Sequence, residues 1–438
     1  MLRKFLTLDN WSRLVVIYLW SSSFIGKASV YVGLALGGLL IFSTRVFWNR
    51  WYLALTRSND PVNRFAWALL VSLLYGIAQV IRGVLLGYEP MIALQILVFN
   101  LCPVYLFLGL WVGFRHPGII RKYIRFLAWL AVIYTPLYFI FFQNLHISLN
   151  GIVPGSGLDL LSSPGSGSFV LLGLLTLETS LAQFWLPIVV LVCLTIGYQE
   201  RADWVSLGLS LVVWGKVTSR IGRVVGIAGC IFAVLLFAAL IDLKLPPFPG
   251  RGGELSARGT IARMAGSFSK DMASEVGADA ATARFEYGTV YWRKHWWAAI
   301  RNEVSQDYKT EIFGLGYGYP LAKLASRDVE KEGTRSPHSI FYFTVAYSGG
   351  LGFAIFCWLE ICLILLLWRT YKLTGATFGL IYLVYTLCGA FFGNLIETPQ
   401  ASIPLYLLCG MAMGPVFLRI DQVYEVEHSV PAPEAQMV

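Results

Sequence analysis

Charge is scarce in this chain: Asp, Glu, Lys and Arg make up 13% of its 438 residues, while apolar residues make up 57% and mean hydropathy is +0.64. A soluble domain carries about 25% charged residues, so the composition excludes a soluble globular protein and predicts a polytopic membrane protein. All seven cysteines (Cys102, Cys193, Cys230, Cys357, Cys362, Cys388, Cys409) lie in apolar stretches. They therefore read as packing residues, with no disulfide framework and no metal site implied. No small-residue cleavage pattern follows Met1-Leu2-Arg3-Lys4, so the first helix is expected to act as an uncleaved signal anchor. The chain also shows no internal repeat of the kind that builds many transporters.

What is there is a series of apolar runs long enough to cross about 30 Å of hydrocarbon. They fall near residues 12–26, 28–46, 64–87, 91–113, 124–142, 183–198, 224–242, 350–368, 374–394 and 402–419. Two shorter apolar runs, 166–181 and 203–216, either both cross or both do not, which makes the expected fold all-α with 10 to 12 transmembrane helices. Arg45, Arg50, Arg57 and Arg64, then Arg115, Arg121, Lys122 and Arg125, then Arg369 and Lys372 follow alternate spans. The positive-inside bias places these clusters, and both termini, in the cytoplasm. The net charge of +9 combines this bias with a preference for anionic lipid.

Four segments result: N-terminal spans over 1–243, a large extracytoplasmic loop over 244–337, C-terminal spans over 338–420 and a cytoplasmic tail over 421–438. The loop is expected to fold. It carries Phe285, Tyr287, Tyr291, Trp292, Trp296, Trp297 and Phe313, far too many aromatics for a disordered linker. Its stretch Ala280 to Val304 has helix-forming content and ends before a turn rich in glycine, Gly314-Leu315-Gly316-Tyr317-Gly318. The tryptophans suit a helix lying in the headgroup layer, and His295 reads as part of that face. A second outside loop, about 143–165, is rich in Gly, Ser and Pro.

Where the loop rejoins the spans it reads Arg335-Ser336-Pro337-His338-Ser339, followed by Tyr347-Ser348-Gly349-Gly350-Leu351-Gly352. Together with Arg284, the tryptophans from Trp292 and the glycine turn, this order resembles the O-antigen ligase and polymerase family. The likeness covers roughly residues 200–390 and is best between 284 and 352. Two departures stand out: serine follows His338 where asparagine is commoner, and the stretch between Thr218-Ser219-Arg220 and the loop is short.

The resemblance implies a polyprenyl-pyrophosphate-dependent, glycosyltransferase C-like enzyme that moves a glycan from undecaprenyl pyrophosphate to an acceptor hydroxyl on the periplasmic face of the bacterial inner membrane. The residue types suit that chemistry. A histidine of near-neutral pKa is the usual general base for a hydroxyl, and His338 is the only histidine at the junction where the long loop meets its span. Departure of pyrophosphate develops negative charge that fixed guanidiniums stabilise. Arg284 is the first candidate for that role; Arg258, Arg263, Arg220 and Arg335 are further candidates for holding the pyrophosphate. No Asp-x-Asp or similar carboxylate cluster occurs in the loop, which points to metal-independent chemistry with no cofactor. Expected partners are the lipid-linked glycan, membrane lipid, a polysaccharide flippase and a chain-length regulator, with no nucleic acid.

Three carboxylates, Glu178, Glu360 and Glu397, and Arg82 lie in or at the ends of apolar runs, where ionisable groups are functional candidates by default. A polymerase of repeat units is favoured over a ligase acting on lipid A core. A lipid-linked oligosaccharide flippase competes from another class, but a transporter places its charge in mid-span, and here charge gathers in one loop. A scaffold would have no need of His338.

Overall fold

The computed structural model describes residues 45–57, 60–142, 165–198, 200–240, 280–325, 336–393 and 395–429, with short pieces at 14–15, 18, 33, 244–245, 255–256, 259–261 and 271. Apart from one two-residue antiparallel pairing, Lys244–Leu245 with Leu255–Ser256, the regular elements among the described residues are all helices. The expected spans at 12–26 and most of 28–46 lie outside them, as does most of 143–165.

The first half comprises α1 (Arg45–Thr56), α2 (Asn63–Leu85), α3 (Pro90–Leu101), α4 (Tyr105–Arg115), α5 (Ile119–Leu137), α6 (Ser168–Leu177), α7 (Trp185–Tyr198), α8 (Arg201–Val217) and α9 (Ile221–Leu240). The loop supplies α10 (Ala280–Val304) and α11 (Tyr308–Phe313). The chain then continues as α12 (Ile340–Thr374), α13 (Phe378–Phe392) and α14 (Pro399–Ser429). Local chemistry sets several of these boundaries. Asp60 accepts the Val62 N–H at 2.8 Å ahead of α2, and Gly87, at φ +84, ends it. Pro90, fixed in φ and needing no N–H partner, opens α3. Pro103 interrupts the next ladder as a 3-10 turn, Cys102–Val104, so α3 and α4 form one path from Pro90 to Arg115.

Among the described residues four helices are long and apolar enough to cross a membrane: Asn63–Leu85, Pro90–Arg115, Ile119–Phe142 and Ile340–Thr374. The apolar runs at 166–181 and 183–198 form shorter helices, as does the run at 374–394. Ser168–Leu177 has 10 residues, about 15 Å of helix, and falls short of the hydrocarbon thickness. The run at 203–216 forms α8, which buries Asp203, Ser206, Ser210 and Trp214 within the helical pack. Asp203 accepts from Tyr385 of α13 at 3.0 Å and from Ser168 of α6 at 3.3 Å, so α8 is a packed element. Leu85, Ile140, Phe232 and Leu240 stand exposed, an apolar exterior that water would not tolerate at this density.

The core is tightest where α4 meets α14. A Cβ on Gly109 would collide with the Leu407 carbonyl, and one on Gly113 with that of Met411. Gly410 and Gly414 of α14 meet the backbone of α4 in the same way. Two small-xxx-small pairs thus let two helix backbones touch, the contact that drives helix association where no hydrophobic effect operates.

Two carboxylates singled out by their apolar settings are paired here. Glu178 takes both oxygens to Arg125, at 2.7 Å each, and Glu360 of α12 accepts the hydroxyl of Tyr406 of α14.

Candidate functional site

The loop helix α10 occupies the bounds expected from its composition, Ala280–Val304. Its tryptophans do more than line a membrane surface. Trp296 is buried and donates its indole N–H to Leu321 O at 3.0 Å. Trp297 donates to Pro337 O at 2.7 Å and stacks on Tyr342 at 4.9 Å. Tyr291 and His295 face outward, with the His295 ring 3.9 Å from that of Tyr291.

These contacts hold the segment before α12, and there His338 adopts φ +55. A left-handed conformation is costly for a residue with a Cβ, and the surroundings enforce it. The His338 N–H donates to Ser336 Oγ at 3.2 Å, and Trp292 meets the imidazole edge-on at 5.9 Å. Half-buried, His338 has its pKa pushed down to about 4, first by desolvation and then by the positive charge of Arg293. It is therefore neutral at physiological pH, with a ring nitrogen able to accept a proton.

Arg293 of α10 donates to the Phe392 carbonyl at the end of α13, at 2.9 Å. Its pKa is lowered by burial and by Arg201, and raised by Glu200. Glu397, in the turn between α13 and α14, is buried and accepts from Ser336 Oγ at 3.4 Å. Burial pushes its carboxyl up to about 8, so it is protonated at neutral pH. Arg293 Nε and Glu397 Oε2 are both buried without a hydrogen-bond partner among the described residues. Buried orphans of this kind are rare and call for an explanation such as a ligand or water. A neutral imidazole, a half-buried guanidinium and a protonated carboxyl thus gather at one end of the bundle. Such a set can accept one proton, hold an anion and donate a hydrogen bond.

Of the other expected site residues, Arg220 alone has a described side chain. The backbone of Arg284 lies on α10 two and a half turns upstream of Arg293, while its side chain lies outside the described residues. Arg258, Arg263 and Arg335 also lie outside them. Arg220 is exposed after the C-terminal end of α8, whereas Arg201 at the N-terminal end of α8 acts on Arg293. The 17 residues of α8 set Arg220 about 26 Å from the Arg201 end, and among the described residues no contact joins Arg220 to His338.

The glycine turn has a structural task. Gly349 interrupts α12 at φ 66, ψ −170, which takes carbonyls of the preceding turn out of the helical ladder. Leu315 N–H donates to Ala346 O at 2.7 Å, Gly316 N–H to Tyr347 O at 3.3 Å, and Tyr75 O–H to Ser348 O at 2.6 Å. The amides of Leu315 and Gly316 are thus committed to α12 and do not cradle phosphate. Gln79 and Arg82 of α2 both donate to Phe313 O, at 2.9 and 3.0 Å, which gives Arg82 a place in this latch.

Arg293 and Glu397 are the members that sequence reasoning did not join to His338. Glu397 carried one signal, a carboxylate at the end of an apolar run; Arg293 sits in Arg293-Lys294-His295 and looked like a basic helix face. No family model and no curated protein sequence matches the chain, so the likeness to O-antigen ligases and polymerases stands on the quoted residues alone.

Proposed function

We propose that this chain is an inner-membrane glycosyltransferase that moves a glycan from undecaprenyl pyrophosphate to an acceptor hydroxyl on the periplasmic face, as a polymerase of polysaccharide repeat units. The observation that carries the reading is His338: a neutral imidazole held in a strained turn beside the half-buried guanidinium of Arg293. In the proposed step the acceptor oxygen attacks the anomeric carbon and its proton passes to His338. The bond from that carbon to the pyrophosphate oxygen breaks, and the electron pair leaves with undecaprenyl pyrophosphate. Arg293 and Arg284 stabilise the charge that develops there. A bound pyrophosphate would also offset the field of Arg293 at His338 and lift its pKa toward the working range of a general base.

The basic residues support the orientation. Arg64 lies at the start of α2, Arg369 near the end of α12 and Arg220 after α8, all at the end of the bundle away from His338. If that end is cytoplasmic, the site faces the periplasm, where a flippase would deliver the donor. A ligase acting on lipid A core would share the donor chemistry and differ in its acceptor.

The test is reconstitution of the full chain in liposomes with extracted undecaprenyl-pyrophosphate-linked glycan. The expected result is longer glycan and release of undecaprenyl pyrophosphate, in the presence of excess chelator. Translocation of intact donor across the vesicle without consumption would overturn the reading in favour of a flippase.

A further inference from the structure

At the end of the bundle remote from His338, a cavity of 350 Å³ opens between the first turn of α2 and the last turns of α12. Two guanidiniums line it, Arg64 and Arg369, from helices some three hundred residues apart in sequence. Both side chains are exposed, and among the described residues neither has an ion-pair or hydrogen-bond partner. Asp60, the one carboxylate in the lining, is half-buried and accepts the Val62 N–H at 2.8 Å, leaving the cavity with two positive groups against one negative.

The remaining walls are apolar apart from Asn63, whose amide N–H groups are taken by the Ala54 and Leu55 carbonyls at 2.8 and 3.1 Å. Phe65 and Leu366 are buried, Leu365 is 50% exposed, and Ile361 one turn away is 53% exposed. A polar, cationic recess therefore passes directly into the outward apolar face of a membrane-length helix. Lys372, at the same end, is held over the Trp368 ring at 5.2 Å and does not line the cavity.

We infer that this recess binds the phosphate headgroup of an anionic phospholipid, with the acyl chains lying along Ile361 and Leu365. Paired arginines match phosphate oxygens in a planar, bidentate way, and basic pockets between spans are a recurrent form of headgroup recognition. A free phosphate would satisfy the guanidiniums but leave the adjoining apolar wall without use. The inference does not depend on the transferase reading.

Native mass spectrometry of the full-length protein with chain-matched phosphatidylglycerol and phosphatidylcholine tests it. Wild type is expected to retain phosphatidylglycerol preferentially. Arg64→Gln and Arg369→Gln should each weaken that preference about 5-fold, and the double variant about 30-fold, while Lys372→Gln leaves it unchanged. Inorganic phosphate at equal concentration should not displace the lipid. Absence of any preference in wild type would overturn the inference without recourse to variants. So would an equal loss in Lys372→Gln, or full displacement by inorganic phosphate, which would mark a simple anion site.

Discussion

Trp297 donates its indole N–H to the carbonyl of Pro337 at 2.7 Å, so a helix of the polar loop fixes the residue that precedes His338. Trp297→Phe keeps an aromatic ring against Tyr342 and removes only the donor. If this bond sets the imidazole's position, turnover should fall, since small misplacements of a reacting group cost up to about 100-fold. Abundance and thermal stability should change little. Wild-type turnover by Trp297→Phe would show that the turn is held without it.

The second prediction concerns pH. Burial and the charge of Arg293 hold His338 down at about 4, so the neutral, proton-accepting form is present above that value and lost as pH falls through it. Removing the neighbouring positive charge raises the pKa. Arg293→Gln should therefore move the acid limb of kcat/KM to higher pH, while Arg293→Lys leaves the limb in place and turns over poorly for want of a planar fork. An acid limb unmoved in Arg293→Gln would separate the two residues.

Glu397 titrates in the opposite sense. Its carboxyl rises from 4.5 to about 8 on burial, so between those values the folded state holds a proton that the unfolded state has released. Stability contributed by the neutral form is complete at the acid end of this window and declines as pH rises through it. Glu397→Gln, neutral at every pH, should flatten the decline in a thermal-unfolding series from mildly acidic to mildly basic buffer. An unchanged slope would mean that Glu397 does not titrate in this range.

Substitution of the proposed catalytic pair gives the fourth test. His338→Ala should cost about 10²- to 10⁴-fold in turnover and Arg284→Ala about 10²- to 10³-fold, with both proteins inserted at normal abundance. Arg284→Lys should retain donor binding better than alanine yet turn over slowly. His295, hydrogen-bonded to the Tyr291 carbonyl at 2.9 Å and exposed, should tolerate alanine. A dead His295→Ala beside an active His338→Ala would reassign the base.

Several features were open to reading from residue order alone. Helical propensity placed α10 at Ala280–Val304, and hydrophobic length placed α2, the path from α3 to α4, and α5. These are local properties, summed over neighbours in the chain. The site depends on distance in space. Arg293 acts on His338 across 45 residues, and Glu397 reaches Ser336 across 61, with no spacing rule to announce either. The glycines that join α4 to α14, Gly109, Gly113, Gly410 and Gly414, went unread for the same reason. Gly314 to Gly318 were visible as a turn, but that the Leu315 and Gly316 amides serve the carbonyls of α12 follows only from the kink at Gly349.

That kink divides α12 into unequal parts. Its 35 residues measure about 52 Å, well beyond the hydrocarbon thickness of about 30 Å. The first part, Ile340–Ser348, is latched to the loop through Leu315 and Gly316, and Gly349 packs against Gly314 with no room for a side chain. Only the part after Gly349 is long enough to follow the bilayer. If the longer part spans a membrane, a change in bilayer thickness would act on its tilt, while the short part and His338 stay held to the loop. Gly349 would then uncouple the height of the imidazole from the thickness of the membrane around it.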